Sequence, residues 1–239
     1  MKLLKILFLL FGLGYGALFA QQATKYDIIV TSAVVPVLYQ NCANDVFINV
    51  PDLCSDYNPE CTSQNADVIQ SKEMRRKFRI IPQGTQCEIA VANQSEAGKI
   101  SLGNLKFKVV PPPRPSVVAK VNGMPYFPRM AVGVGSKVML IVEPDEGFAA
   151  LVPDDAKYRF SSVELYAQTG LGVPQKIGGC ELRQNDATKG IDVPLPSDAF
   201  RMPGAKTYVE FKVTRINYRG ESFDAGLAPQ ERTLVLISR

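Results

Sequence analysis

The sequence predicts an all-β protein built as two tandem β-sandwich-like domains, the first of them immunoglobulin-like. Three observations predict it. Apolar and polar residues alternate with a period of two along many short runs, helical periodicity is almost absent, and a run of prolines divides the chain near its middle.

Leu105, Phe107 and Val109 share one side of a strand while Lys106 and Lys108 take the other. Val209, Phe211 and Val213 alternate in the same way with Glu210, Lys212 and Thr214. Further β-rich runs begin at Tyr26, Asp45, Lys77, Cys87, Lys137, Lys157 and Arg232, separated by Pro, Gly, Asn and Asp, as in sandwich chains. One helical turn is expected at Ser197–Phe200, capped by Ser197 and ended by Pro203 and Gly204.

Pro111, Pro112, Pro113 and Pro115 fix extended geometry and withhold ladder donors, so the domain boundary is placed there. The first domain is expected over residues 24–110, with about seven strands. The second, over residues 111–239, carries longer connections at Asp145–Ala156 and Leu171–Asp198, and long ordered connections tend to carry function.

Met1–Ala20 reads as a secretory signal peptide: Lys2 and Lys5 precede an apolar run that closes on small residues before Gln21. The run is shorter than the roughly 20 residues a spanning helix needs, so no membrane span is expected after cleavage. Without Lys2 and Lys5 the formal charge falls from +4 to +2. A nearly neutral chain lacks the positive field that nucleic-acid binding requires, which argues against that partner.

Of five cysteines, Cys42, Cys54, Cys61 and Cys87 fall in the first half and Cys180 stands alone. In an oxidising compartment the four allow three connectivities, and Cys54–Cys61 with Cys42–Cys87 is the pairing expected here. With no histidine and no C-x-x-C pair, a zinc site is not expected, and Cys180 reads as an idle or buried thiol.

The absent histidine also removes the standard base and triad partner, so no enzyme, catalytic residue or cofactor is assigned. The carboxylate groups Glu143-Asp145-Glu146, Asp154-Asp155 and Glu221-Asp224 sit among turn residues and read as solvated loops. GVGS at Gly133 and GLGV at Gly170 lack phosphate-loop spacing, and no helix-loop-helix calcium motif is present. Two features suggest an interface. The run Lys72–Arg79, with Arg75, Lys77 and Arg79, reads as a basic edge or as charges that keep an edge strand soluble. Tyr126, Phe127 and Phe148 read as a contact patch or as packing residues.

Val34–Pro51 (VVPVLYQNCANDVFINVP) resembles the entry to the C-terminal periplasmic region of the GldM family of gliding-motility proteins, called PorM in type IX secretion. In that family a segment of the form N-V-L-Y-x-G-x-x-N-P-I-x-V-x-V-P opens a β domain. Leu38, Tyr39, Asn44 and Ile48-Asn49-Val50-Pro51 carry the match, with Gln40 in place of the usual Gly and Asp45 in place of the usual Pro. Leu102–Gly123 is similar to the family's F-R-V-K-x-x-P-x-P crossover through Phe107, Val109, Pro111 and Pro113 or Pro115. The closing strands from Thr207 and from Arg232 also look alike, although Asn217-Tyr218-Arg219-Gly220 stands where the family often has G-P-D-G.

The resemblance implies stacked periplasmic β domains that reach an outer-membrane-associated ring, as a dimer in the long members. Those members carry a membrane helix and two further domains ahead of this region. The expectation is therefore a short stand-alone relative, a non-enzymatic adaptor of envelope proteins, with dimerisation left open. The alternative is a secreted glycan-binding module, which needs an exposed aromatic platform with polar neighbours and is weakened by the absence of tryptophan. A carboxylate hydrolase would need two acidic groups in one cleft.

Overall fold

The computed structural model describes residues 26–32, 37–183, 185–200 and 202–239. The signal peptide assigned to Met1–Ala20 lies outside the described residues. No helix among the described residues is long and apolar enough to cross a membrane.

The first half contributes β1 (Ile29–Thr31), β2 (Val37–Tyr39), β3 (Asn44–Asn49), β4 (Pro59–Thr62), β5 (Ala66–Gln70), β6 (Lys77–Pro82), β7 (Gln86–Ser95) and β8 (Gly98–Val110). They form two four-stranded sheets, ordered β1-β3-β6-β5 and β2-β8-β7-β4. All pairings are antiparallel except β2 with β8, which is parallel. Taking β1 and β2 as the two arms of a split strand A, this is the A-B-E-D sheet facing an A′-G-F-C sheet of an immunoglobulin domain. The inward-facing members of each strand, among them Leu38, Val46, Ile48, Phe78, Ile80, Ile89, Val91 and Phe107, make one core.

The second half follows the same plan. Its strands are β9 (Ser116–Val121), β10 (Met124–Pro125), β11 (Met130–Val132), β12 (Val138–Glu143), β13 (Lys157–Gln168), β14 (Gln175–Glu181), β15 (Ile191–Val193), β16 (Lys206–Ile216), β17 (Ser222–Asp224) and β18 (Thr233–Ser238). One sheet runs β10-β9-β12-β15, the other β11-β18-β16-β13-β14 with β17 on β16, and β11 pairs parallel with β18. The parallel arm on the last strand recurs, so both halves are immunoglobulin-like sandwiches. Val121, Leu140, Phe160, Val209, Phe211 and Leu236 lie at the centre of the second core. Phe160 and Phe211 meet edge to face at 5.8 Å.

Local sequence explains the connections. Asn122 and Gly123 both take positive φ (51° and 81°) between β9 and β10, the requirement of a two-residue type I′ hairpin that Asn-Gly satisfies. Ser197–Phe200 is a short 3-10 turn, as expected. The connection expected at Asp145–Ala156 instead contains a helix, α1 (Glu146–Leu151), whose first turn is capped by the Asp145 carboxylate accepting from Phe148 N at 2.8 Å. Phe148 is thereby turned inward and fully buried.

The disulfide expectation is corrected. Cys42, Cys61 and Cys87 are free, buried thiols, and Cys180 is free and exposed. Cys42 packs with Phe148, Val152 and Ala156, whereas Cys61 and Cys87 belong to the first sandwich core. On the shared face of β4 and β7, Cys61 stands opposite Val91, four residues from Cys87. At about 3.4 Å per residue that is roughly 14 Å along the strand, too far for a bridge between those two. Burial pushes the Cys42 and Cys61 thiols up to about 12. In the folded protein, iodoacetamide should alkylate Cys180 at least about 100-fold faster than Cys42 or Cys61, read by mass spectrometry of peptides. Comparable rates would show that the two buried thiols open readily to solvent.

Candidate functional site

The two sandwiches meet through a third, small cluster of Cys42, Phe148, Val152 and Ala156, with Tyr39 and Ala149 against it. The first half supplies the turn between β2 and β3, and the second half supplies α1, the segment after it and the turn between β16 and β17. Tyr39 meets Phe148 edge to face, with ring centres 5.0 Å apart at 86°. Such a pair adds about 0.5–1.5 kcal/mol beyond the area it buries.

The polar part of the junction is organised by Asp155, which is fully buried rather than solvated as its loop composition suggested. One carboxylate oxygen accepts from Ala43 N of the first sandwich at 2.9 Å. The other accepts from Tyr218 N of the second at 3.1 Å. Arg215, itself buried, donates to the Asp155 backbone carbonyl and to Cys42 Sγ, both at 3.3 Å, and its guanidinium lies over the Phe223 ring at 5.0 Å. At the rim Arg219 pairs with Asp67 across the junction at 2.8 Å, and Arg79 lies over the Tyr218 ring at 5.6 Å.

The turn that brings Ala43 to this site is fixed from within the first sandwich. Asn44, fully buried, accepts from Tyr39 N at 2.8 Å and donates to Tyr39 O, Cys42 O and Ile80 O at 2.9, 2.8 and 3.1 Å. Asn217 does the same on the other side. Its carbonyl accepts from Arg219 N and Glu221 N, and its amide donates to Glu221, so Tyr218 N points back at Asp155.

The residues singled out as interface candidates fall in separate places. Arg75 is exposed near the turn between β5 and β6. Lys77 and Arg79 are committed to Asp45, at 2.8 and 3.0 Å. Burial alone would raise the Asp45 carboxyl, but hydrogen bonds from Arg79 and Lys77 outweigh it and hold the group below its ordinary value. Phe148 is corrected from a surface candidate to the centre of the junction. Tyr126 packs against the second core, and its hydroxyl both donates to Val235 O and accepts from Val235 N, extending the ladder of β18. Phe127 is 59% exposed.

Asp155 was read as a solvated loop residue and Cys42 as a disulfide partner, and Arg215 went unnoticed in the sequence, yet a signal was there. The inward series Val209, Phe211, Val213 continues at the same period into Arg215 and Asn217, which places polar groups where a core strand should bury apolar ones. Exposed apolar groups cluster elsewhere: Leu171 and Val173 stand fully or nearly fully exposed in the hairpin between β13 and β14.

Among the described residues no group of three or more metal-ligating side chains comes together. The arrangement holds two sandwiches end to end by a buried hydrogen-bonded carboxylate.

Residues 27–110 match the family model of the GldM third domain. None of the curated proteins matches the chain. Among solved structures it is similar to fibronectin(III)-like modules of Clostridium thermocellum CbhA, at 12% identity and TM-score 0.26, covering 88% of this chain and 94% of that one. It is also similar to the Yersinia pseudotuberculosis adhesin InvE, at 12% identity and TM-score 0.29, covering 90% of this chain and 58% of that one. A third likeness is to the chicken CNTN1 FN1–FN3 domains, at 11% identity and TM-score 0.25, covering 88% and 64%.

Proposed function

We infer that this chain, in which residues 27–110 form a GldM third-domain-like unit, acts as a non-enzymatic periplasmic adaptor that holds a partner of the envelope at a fixed distance and angle. The observation that carries the reading is the junction. A flexibly tethered pair of domains needs no shared core, whereas here Phe148, Cys42 and Asp155 bury groups from both halves in one cluster. Such a joint transmits position and load along the tandem.

The family resemblance points to the partner class, an outer-membrane-associated ring of secretion or gliding components. The docking surface would be drawn from side chains not already committed inside the chain. Arg75 and Phe127 fit that description, while Lys77, Arg79, Tyr126 and Phe148 are engaged in internal contacts. A specific interface of about 800 Å² per partner is within the surface each sandwich offers.

The test is affinity capture of residues 21–239 from a native envelope extract after mild crosslinking, with recovered proteins identified by mass spectrometry. Recovery of secretion-ring or gliding components is expected. Recovery of no envelope protein would overturn the adaptor reading.

A further inference from the structure

On the outer face of the larger sheet of the second sandwich, Tyr166 of β13 stands directly opposite Tyr208 of β16. Strand side chains usually stand off the sheet. Here both hydroxyls are tethered to side chains of the same face. The Tyr166 hydroxyl donates at 2.8 Å to Glu164, two residues back on the same face, so its ring leans along β13. The Tyr208 hydroxyl donates to Gln168 at 2.5 Å, so its ring leans diagonally across onto the neighbouring strand. Each ring is half-buried, and each hydroxyl is tethered to a neighbouring side chain of the same face.

The next cross-strand pair along the same face is Glu164 opposite Glu210. Like charges directly opposite on a sheet are destabilising, so the fold gains nothing from this pair. Lys176 offsets Glu164 at 2.6 Å, whereas Glu210 is exposed and its side chain forms no hydrogen bond or ion pair among the described residues. Beside the carboxylates, a shallow cleft of about 270 Å³ is lined by Ser162, Glu164, Glu210, Lys212, Arg232 and Thr233.

We propose that this face binds a neutral glycan chain, with one or two hexose rings stacked on Tyr166 and Tyr208 and the next residue's hydroxyls held in the cleft by Glu210 and Lys212. The chemistry is that of an amphipathic ligand. A pyranose offers an axial C–H face to an aromatic ring and equatorial hydroxyls to the carboxylates, amides and ammonium groups around it. Charges of both signs, Glu164 and Glu210 with Lys176, Lys206 and Lys212, leave no single-sign field for a phosphate or sulfate polymer. An apolar protein hot spot would leave these charges desolvated and unpaired. Hydrogen bonds from Lys176 and Tyr166 hold the Glu164 carboxyl below its ordinary value. Nothing in this inference depends on the adaptor reading, since the sheet face and the junction are separate parts of the second sandwich.

The experiment is affinity electrophoresis of residues 21–239 in native gels containing hydroxyethylcellulose, xylan or glycol chitin. At least one polymer should retard the protein. The double substitution Tyr166→Ala with Tyr208→Ala should weaken that retardation at least tenfold in apparent Kd, and Tyr166→Phe with Tyr208→Phe should stay within about threefold of the parent because the stacking faces remain. Glu210→Ala, at a side chain the fold does not use, should weaken it at least threefold with an unchanged melting temperature. The proposal is overturned by no retardation in any of the three gels, or by equal retardation of the parent and the alanine variants. A change of oligomeric state in the double alanine variant with retardation intact would assign the face to protein contact and overturn it as well.

Discussion

Asn44→Ala should destabilise the protein by about 3 kcal/mol, read as a fall in the urea midpoint of the first sandwich with its m value unchanged. The amide of Asn44 satisfies the carbonyls of Tyr39, Cys42 and Ile80 and the N–H of Tyr39, all from a side chain with no exposure. Truncation leaves these backbone groups buried, and buried groups left unpaired cost about 1–3 kcal/mol each before relaxation. Asn44→Asp should be worse, because its carboxylate would face three carbonyl oxygens that need a donor. A loss below about 1 kcal/mol in the alanine variant would mean that water enters the turn and that Asn44 is not its organiser. The effect should also reach the junction, since the turn it fixes delivers Ala43 N to Asp155 and Tyr39 to Phe148.

Asn44 is also the point where sequence and structure agree for an identifiable reason. Leu38, Tyr39 and Asn44 carried the family resemblance, and the structure gives each a physical reason to be there. Leu38 fills the first core, Tyr39 meets Phe148, and Asn44 ties the turn between them. The long strands were legible because each hides one face, as in Leu105–Val109 and Val209–Val213, where period-two alternation is strongest. Short edge strands such as β5 and β14 were not, because an edge with both sides partly wet has no alternation to read, and β14 carries two adjacent glycines, Gly178 and Gly179. The Asn122-Gly123 hairpin could have been read from its dipeptide alone. The disulfide expectation failed because cysteine count in an oxidising compartment constrains pairing only if the thiols share a core, and Cys42 does not share one with Cys87. Asp155 was misread for a similar reason. Its neighbours Pro153 and Asp154 look like a surface turn, and only the tertiary approach of Ala43 and Tyr218 makes the site buried.

Asp155→Asn should lower stability by about 2–3 kcal/mol and the melting temperature by about 4–12 °C for a chain of this size, while far-UV circular dichroism stays unchanged. The isosteric amide keeps one oxygen, which can accept from Ala43 N or from Tyr218 N but not from both. Its NH2 group then points a donor at the remaining N–H, while Arg215 keeps its bond to the backbone carbonyl of residue 155. Neither sandwich core includes Asp155, so the damage should appear as loosening between the halves rather than loss of either fold. Small-angle scattering should show a wider spread of interdomain distances in the variant, and thermal unfolding should separate into two transitions. If the scattering profile and melting curve match those of the parent, the sandwiches are held by the Tyr39–Phe148 contact and the Arg219–Asp67 pair alone, and the buried carboxylate is not the joint. If the variant loosens as expected while still reaching its envelope partner, rigidity would be dispensable for docking and its role would lie in transmitting force along the tandem.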